Sequence, residues 1–193
     1  PQLLEDLSSS IHVLEVIVIC NAPKPAELQF SSEKIRFIEC EENIFVNPAW
    51  NLGVFESKSR FVVICNDDVR FNPDLFGRVD YEAINESVIG CDETCFANAD
   101  DAFKVLNGHS IGQGWGCLIL ADKQSFRSIP EDLKIWYGDN WLALTFPMCK
   151  SLVWQVNTEM GESTSKPALR TIAMKDRDVW FLKTNLLERL QLE

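Results

Sequence analysis

The chain reads as an α/β protein. Apolar runs of strand character lie at residues 12–20, 34–40 and 60–66, and a helical pattern over 48–57 separates the second from the third. The third run, Phe61-Val62-Val63-Ile64-Cys65, passes at once into Asn66-Asp67-Asp68-Val69. Apolar residues bounded by polar ones predict a buried, parallel strand. Ligands in open α/β sheets bind at the carboxyl ends of strands, so the acidic pair is the first candidate site. Adjacent carboxylates repel, and carboxylate and amide oxygens suit a hard cation, Mg²⁺ or Mn²⁺. A solvated Asp-rich turn is the alternative, because Asn and Asp are good turn residues.

The remaining elements follow in order. Residues 3–10 suit a short helix with Leu3, Leu4 and Leu7 on one face. Val and Ile make 12–20 a strand, ended by the loop chemistry of Asn21-Ala22-Pro23-Lys24-Pro25. The helix over 48–57 has Pro48 near its first turn and Asn47 as its cap. Beyond Asp68 the pattern predicts a helix at 73–85, a short strand at 87–91 and an irregular polar stretch at 92–113. Strand character returns at 114–120 and 151–156, with a helix within 132–144 and a mobile loop at 160–166. The terminal segment 176–192 is an amphipathic helix with Val179, Leu182, Leu186, Leu187 and Leu190 on its apolar side. No linker divides the chain, so residues 1–193 are expected to form a single domain.

Composition narrows the function classes. Apolar residues are 46% of the 193, which argues against disorder. The net charge of −11, with Lys and Arg scattered, argues against nucleic-acid binding. No apolar stretch reaches membrane-span length, and Pro1-Gln2-Leu3-Leu4-Glu5-Asp6 does not resemble a signal peptide. The seven cysteines include one close pair, Cys91 and Cys95, with no second pair or nearby His to complete a zinc site. Free thiols in a reducing cytoplasm are expected, with the cytosolic face of a membrane as an alternative location.

Four segments resemble, in order, the family 2 type of GT-A glycosyltransferases, particularly its rhamnosyltransferase-like members. They are residues 16–23 (Val-Ile-Val-Ile-Cys-Asn-Ala-Pro), residues 41–54 with Glu42-Asn43 and Asn51-Leu52-Gly53, residues 61–69, and the stretch from Gly114-Trp115-Gly116 to Tyr137-Gly138-Asp139-Asn140-Trp141. The resemblance spans roughly residues 3 to 145. It implies a GT-A-like fold, Rossmann-related, with a mixed, mostly parallel central sheet flanked by helices. It also implies a nucleotide-sugar-binding half (1–85) and an acceptor-binding half (86–193). The implied activity is metal-dependent, inverting sugar transfer from a nucleotide-diphosphate sugar of UDP, dTDP or GDP type to a hydroxyl of a glycan or glycoconjugate. Mn²⁺ or Mg²⁺ is the implied cofactor.

The family pattern is altered at several places. Its early strand-end Asp falls on Cys20, the first Asp of its metal motif on Asn66, and the Glu of its Glu-Asp pair on Gly138. Its C-terminal metal-binding His has no counterpart, with Gln155 or Asn157 near that place. Its opening strand would precede Pro1, which makes one module of a longer polypeptide an expected context.

Roles follow from these matches. Asp68 is the expected direct metal ligand, with Asn66 or Asp67 holding metal-bound water or a ribose hydroxyl; Asp67 could equally cap its loop. Asn21 suits base-edge recognition or an Asx turn, and Asn51 either orients the metal loop, contacts the donor, or is a buried amide satisfied internally. Asp139 is the expected general base. Trp115 belongs to the implied acceptor side. Trp136, Tyr137 and Trp141 flank Asp139 and could stack on a sugar or pack in the core. Ser163-Thr164-Ser165 could form a lid or an ordinary loop. Two other classes compete: a degenerate domain that binds nucleotide or glycan without turnover, and a phosphotransferase or hydrolase with an acidic strand-end pocket. The second would need a nucleophilic Asp followed two residues on by Asp, then Thr, which Asn66-Asp67-Asp68-Val69-Arg70 does not supply.

Overall fold

The computed structural model describes residues 2–21, 30, 32–97, 103–107, 111–112, 114–158 and 167–190. Among them are α-helices α1 (Gln2–Ser9), α2 (Val46–Glu56), α3 (Gly138–Thr145) and α4 (Pro167–Leu190). The strands are β1 (Val16–Cys20), β2 (Ile35–Glu39), β3 (Phe61–Cys65), β4 (Val69–Phe71), β5 (Ser87–Cys91), β6 (Lys104–Asn107), β7 (Leu118–Asp122), β8 (Met148–Val153) and β9 (Val156–Thr158).

The result is a mixed α/β architecture around a five-stranded sheet of order β3-β7-β5-β8-β6. β1 and β2 form a separate parallel pair, with Val16 opposite Ile35 and Cys20 opposite Glu39. β4 and β9 form an antiparallel ribbon in which Arg70 faces Asn157. α2 packs on both β1 and β3.

The central sheet is not mostly parallel. β7 lies between β3 and β5 and runs antiparallel to both, β6 is antiparallel to β8, and β5 with β8 is the parallel pair. β3 therefore has an antiparallel neighbour where a parallel one was expected. Layers can cover both sides of a sheet whatever the strand direction, but β3 is fully buried on one face only, with Val62 and Ile64 buried and Val63 between them exposed.

Those layers are visible in β7, which is buried at every position. Side chains alternate between faces with period two. Leu118 and Leu120 pack with Val69, Leu75, Ile89 and Leu152 on one face. Ile119 and Ala121 pack with Val62, Ile64, Ile129 and Leu142 on the other. Both cores draw residues from either side of residue 85. Trp115 lies flat on Gly90, where any Cβ would overlap its indole.

Several element bounds differ from expectation. The first strand begins at Val16 rather than residue 12. The helix expected over 73–85 is a 3-10 turn, Pro73–Gly77, capped by Asn72, whose side chain accepts from the Asp74 N–H. Residues 115–117 form a 3-10 turn before β7. Asn47 is not the cap of α2; it lies inside the first turn, fully buried. α4 is longer than expected. The expected loop over 160–166 and the side chains of Leu186, Leu187 and Leu190 lie outside the described residues.

Asp122 ends β7 and ties it to β3. It is buried, pairs with Arg60 at 3.1 Å, and accepts from the N–H groups of Glu86 and Gln124. Burial pushes its carboxyl up, but the Arg60 guanidinium and the two N–H groups outweigh this and hold it below the ordinary range. A depressed carboxyl pKa stabilises above the unfolded value near pH 3.9 and ceases to do so as pH falls through the folded value. Asp122→Ala should cost about 2–3 kcal/mol in urea unfolding at pH 7, because buried N–H donors lose their acceptor. The deficit should shrink below pH 4; a pH-independent deficit would contradict this account.

Candidate functional site

The acidic turn sits at the carboxyl end of β3. The Asn66 N–H donates to the Cys117 carbonyl at 3.0 Å, which fixes the exit of β3 against the 3-10 turn Trp115–Cys117. Asp67 is exposed, and its carbonyl accepts from Arg70 Nη1 at 3.2 Å. Asp68 is half-buried, and its Oδ1 is a buried acceptor with no hydrogen-bond partner. Buried polar atoms are nearly always satisfied, so such an oxygen points to a missing partner.

Asp139 lies in the first turn of α3. Its Oδ1 accepts from the Asn140 N–H at 2.9 Å. Burial pushes its carboxyl above the ordinary range, outweighing the N–H groups of Asn140 and of Asp139 itself. Gly116 makes this packing possible, since a Cβ there would lie 3.0 Å from Asp139 Oδ2.

Asp68 and Asp139 both act electrostatically on Cys117. Burial raises the thiol pKa of Cys117, and the charges of Asp68 and Asp139 raise it further. Cys65 is pushed up to about 12 by burial, with Cys117, Asp67 and Asp68 adding to it and Arg70 opposing. Both thiols are therefore neutral. Cys117 was not read from sequence as part of the site.

The segment that delivers Asp139 is held from outside. Asp176 of α4 is buried and accepts from the N–H groups of Lys134, Ile135 and Trp136 at 2.9, 2.7 and 2.9 Å. Asn47 of α2 donates through Nδ2 to the carbonyls of Leu133 and Trp136 at 3.2 and 3.0 Å. Tyr137 follows in the left-handed region, φ 64°, which a bulky side chain adopts at a cost of about 1–3 kcal/mol. Its ring stacks on Trp180 of α4 at 5.3 Å and 8°. A Cβ at residue 138 would overlap Asn47 Oδ1, so a side chain there would displace the buried Asn47 amide. Neither Asn47 nor Asp176 was read from sequence as an organiser of the site.

Other expected residues are placed differently. Asn21 uses both ends of its amide on backbone, donating to the Phe45 carbonyl and accepting from the Ile44 N–H. Asn51 does the same with both backbone groups of Ile129. These bonds match the internally satisfied alternative for Asn51. Trp115 is 0% exposed and its face lies on Gly90, so it offers no surface to an acceptor. Tyr137 has one face covered by Trp180. Trp141 is half-buried in the core that contains Leu142, with a buried and unpartnered Nε1. Trp136, 46% exposed, is the flanking aromatic with free surface. Ser163-Thr164-Ser165 lies outside the described residues.

Among the described residues no three His, Cys, Asp or Glu side chains converge as a metal cage. The residues present still fit a cation of Mg²⁺ type. Such ions keep several waters and take one or two carboxylates together with substrate phosphates. The orphaned Asp68 Oδ1 is the oxygen available for this, with Asn66 and Asp67 beside it. No described helix is long and apolar enough to cross a membrane.

Compared with known proteins, the chain matches no family model and no curated protein.

Two outcomes follow from this geometry. Asp176→Ala should destabilise the chain by about 3 kcal/mol in urea unfolding, since three N–H donors lose one charged acceptor. A loss under 1 kcal/mol would remove Asp176 from its organising role. For Asp139 the sign is opposite to that of Asp122: a carboxyl raised by burial stabilises below its unfolded pKa and loses that contribution as pH rises through the folded value. Asp139→Asn should thus raise the melting temperature at pH 7 and leave it nearly unchanged at pH 3. An equal rise at both would show that charge burial is not the cause.

Proposed function

We propose that the chain is a metal-dependent, inverting glycosyltransferase of GT-A type, moving a sugar from a nucleotide-diphosphate donor to a glycan hydroxyl. The observation that carries the reading is that the turn Trp115–Cys117 borders both carboxylate-bearing segments: the Cys117 carbonyl accepts from the Asn66 N–H, and Gly116 lies against Asp139. Asp68 presents an unpartnered oxygen at a strand end, and Asp139 has a pKa raised by burial. One suits a cation and the other suits a proton.

The chemistry then divides between them. Asp139 takes the proton of the acceptor hydroxyl as that oxygen bonds to the anomeric carbon. The bond from this carbon to the diphosphate oxygen breaks on the opposite side, and the nucleoside diphosphate departs. A divalent cation at Asp68 would offset the charge of the departing diphosphate. A raised pKa brings Asp139 nearer to the working pH, where a general base is most effective. Trp136 supplies an exposed indole on which the apolar face of an acceptor sugar can rest.

A second reading is a binding domain without turnover. It is favoured by Asn21 and Asn51, whose amides are engaged with backbone and so do not read a donor.

Turnover of nucleotide sugars in the presence of Mn²⁺ separates the two. Asp139→Asn should lower kcat by about 10²–10⁴ while leaving Mn²⁺-dependent nucleoside-diphosphate binding intact. Asp68→Ala should abolish the Mn²⁺-dependent rise in melting temperature. Donor binding with no hydrolysis or transfer in the wild type would favour the second reading, and the absence of both would defeat the first.

A further inference from the structure

Cys91 and Cys95, the close cysteine pair of the sequence, are brought together by the end of β5 and the turn that follows it. Both are free thiols. Cys91 is the last residue of β5 and lies opposite Leu152 in the parallel ladder with β8. Cys95 is on the 3-10 turn Glu93–Phe96, and its Sγ donates to the carbonyl of the same Leu152 at 3.1 Å. Two backbone bonds fix the turn. The Asp92 N–H donates to the Leu152 carbonyl at 2.8 Å, and the Cys95 N–H donates to the Asp92 carbonyl at 3.0 Å. Both side chains therefore meet beside Leu152, inside one apolar cluster, and their thiols share a hydrogen bond.

The shared bond makes the two sulfurs unequal. It keeps the proton on Cys91 and raises that pKa, and burial raises it further. It lowers the pKa of Cys95 against the opposing effect of burial, and backbone groups of Trp154 and Asp92 add to the lowering. The thiolate is the nucleophile in thiol–disulfide exchange, so Cys95 is the sulfur that attacks first. Cys91 is then the neighbour within reach of whatever Cys95 has bonded to.

Both sulfurs are buried, yet the cover over Cys95 is thin. Glu93, Thr94 and Ala97 around it are exposed, and the turn that carries it is four residues long. Short surface turns open locally at a lower free-energy cost than the strands they follow. Opening this turn exposes Cys95 while β5 and β8 stay paired. Among the described residues no third His, Cys, Asp or Glu completes a metal site with the two thiols.

We propose that Cys91 and Cys95 are a redox-active dithiol, which closes an intrachain disulfide by exchange with a small disulfide of the glutathione type. The Cys95 thiolate bonds to one sulfur of the oxidised glutathione, whose S–S bond breaks and releases one glutathione thiolate. The Cys91 sulfur then bonds to Cys95, and the second glutathione thiolate departs. The two cysteine protons pass to the two departing thiolates; the cysteine sulfurs are oxidised and the glutathione sulfurs reduced. The pair uses neither Asp68 nor Asp139 and stands independently of the transferase reading.

Redox titration of the full chain tests this. The reduced protein is equilibrated without air in mixtures of reduced and oxidised glutathione, quenched in acid and alkylated, and its peptides are mapped by mass. A Cys91–Cys95 disulfide should appear as the oxidised fraction rises, in protein that keeps its far-UV circular dichroism, and dithiothreitol should reverse it. Phenylarsine oxide, which bridges two neighbouring sulfurs, should protect both cysteines of the wild-type chain from alkylation, a measurement that needs no variant. Cys91→Ser should stop the reaction at a mixed disulfide of Cys95 with glutathione, whereas Cys95→Ser should leave Cys91 unmodified. Glutathione trapped on Cys91 in Cys95→Ser, with none on Cys95 in Cys91→Ser, would overturn the order of attack. Both thiols still free at the most oxidising ratio, disulfides between other cysteines in their place, no protection by phenylarsine oxide, or a disulfide that forms only with loss of the folded signal would overturn the site.

Discussion

The carboxylate of Asp176 accepts from three successive backbone N–H groups, those of Lys134, Ile135 and Trp136, and this fixes the segment that enters α3. Asn47 grips the same segment from α2 through the carbonyls of Leu133 and Trp136. Between these two buried polar side chains the chain has little freedom, and Tyr137 is held in a left-handed conformation that it would not choose alone. Strain of this kind persists only where the surroundings over-determine it. Its consequence is local and chemical: Asp139, two residues on, is pressed against Gly116 and away from water, which raises its pKa. α4 thus acts on the candidate site without contributing a reacting group.

The second constraint is β7. Buried on both faces and paired antiparallel on both edges, it joins β3 to β5 and separates the two cores. Its entry turn, Trp115–Cys117, carries the glycine that admits Asp139 and the cysteine that both carboxylates influence. Its exit carries Asp122, which pairs with Arg60 at the start of β3. One strand therefore sets the distance between the acidic turn after β3 and the start of α3, with ordered backbone at each end.

Much of this was legible in the chain itself. Val16–Cys20, Ile35–Glu39, Phe61–Cys65 and Ser87–Cys91 are dense in Val, Ile and other apolar residues, and strand character follows from that. Strand direction was not legible, because an apolar strand has the same composition whichever way its neighbour runs. Asp68 stood out through local chemistry, and Asp139 only through the family resemblance. Trp115 was assigned to the wrong surroundings because the glycine that receives its indole, Gly90, lies in another strand. Asn47 had the composition of a helix cap, and only the distant carbonyls of Leu133 and Trp136 show its other use. Asp176 sits among charged residues on an amphipathic helix, and nothing in that neighbourhood marks it as the one turned inward.

Paramagnetic broadening of backbone amide signals by substoichiometric Mn²⁺ tests the central claim, that Asp68 and Asp139 border one cation-binding cleft, most directly. The account predicts broadening centred on Asn66 to Val69 that extends to Trp115–Cys117 and the start of α3, and that Asp68→Ala removes. Broadening confined to Asn66–Val69, sparing α3, or spread over the acidic surface and indifferent to Asp68→Ala, would contradict it.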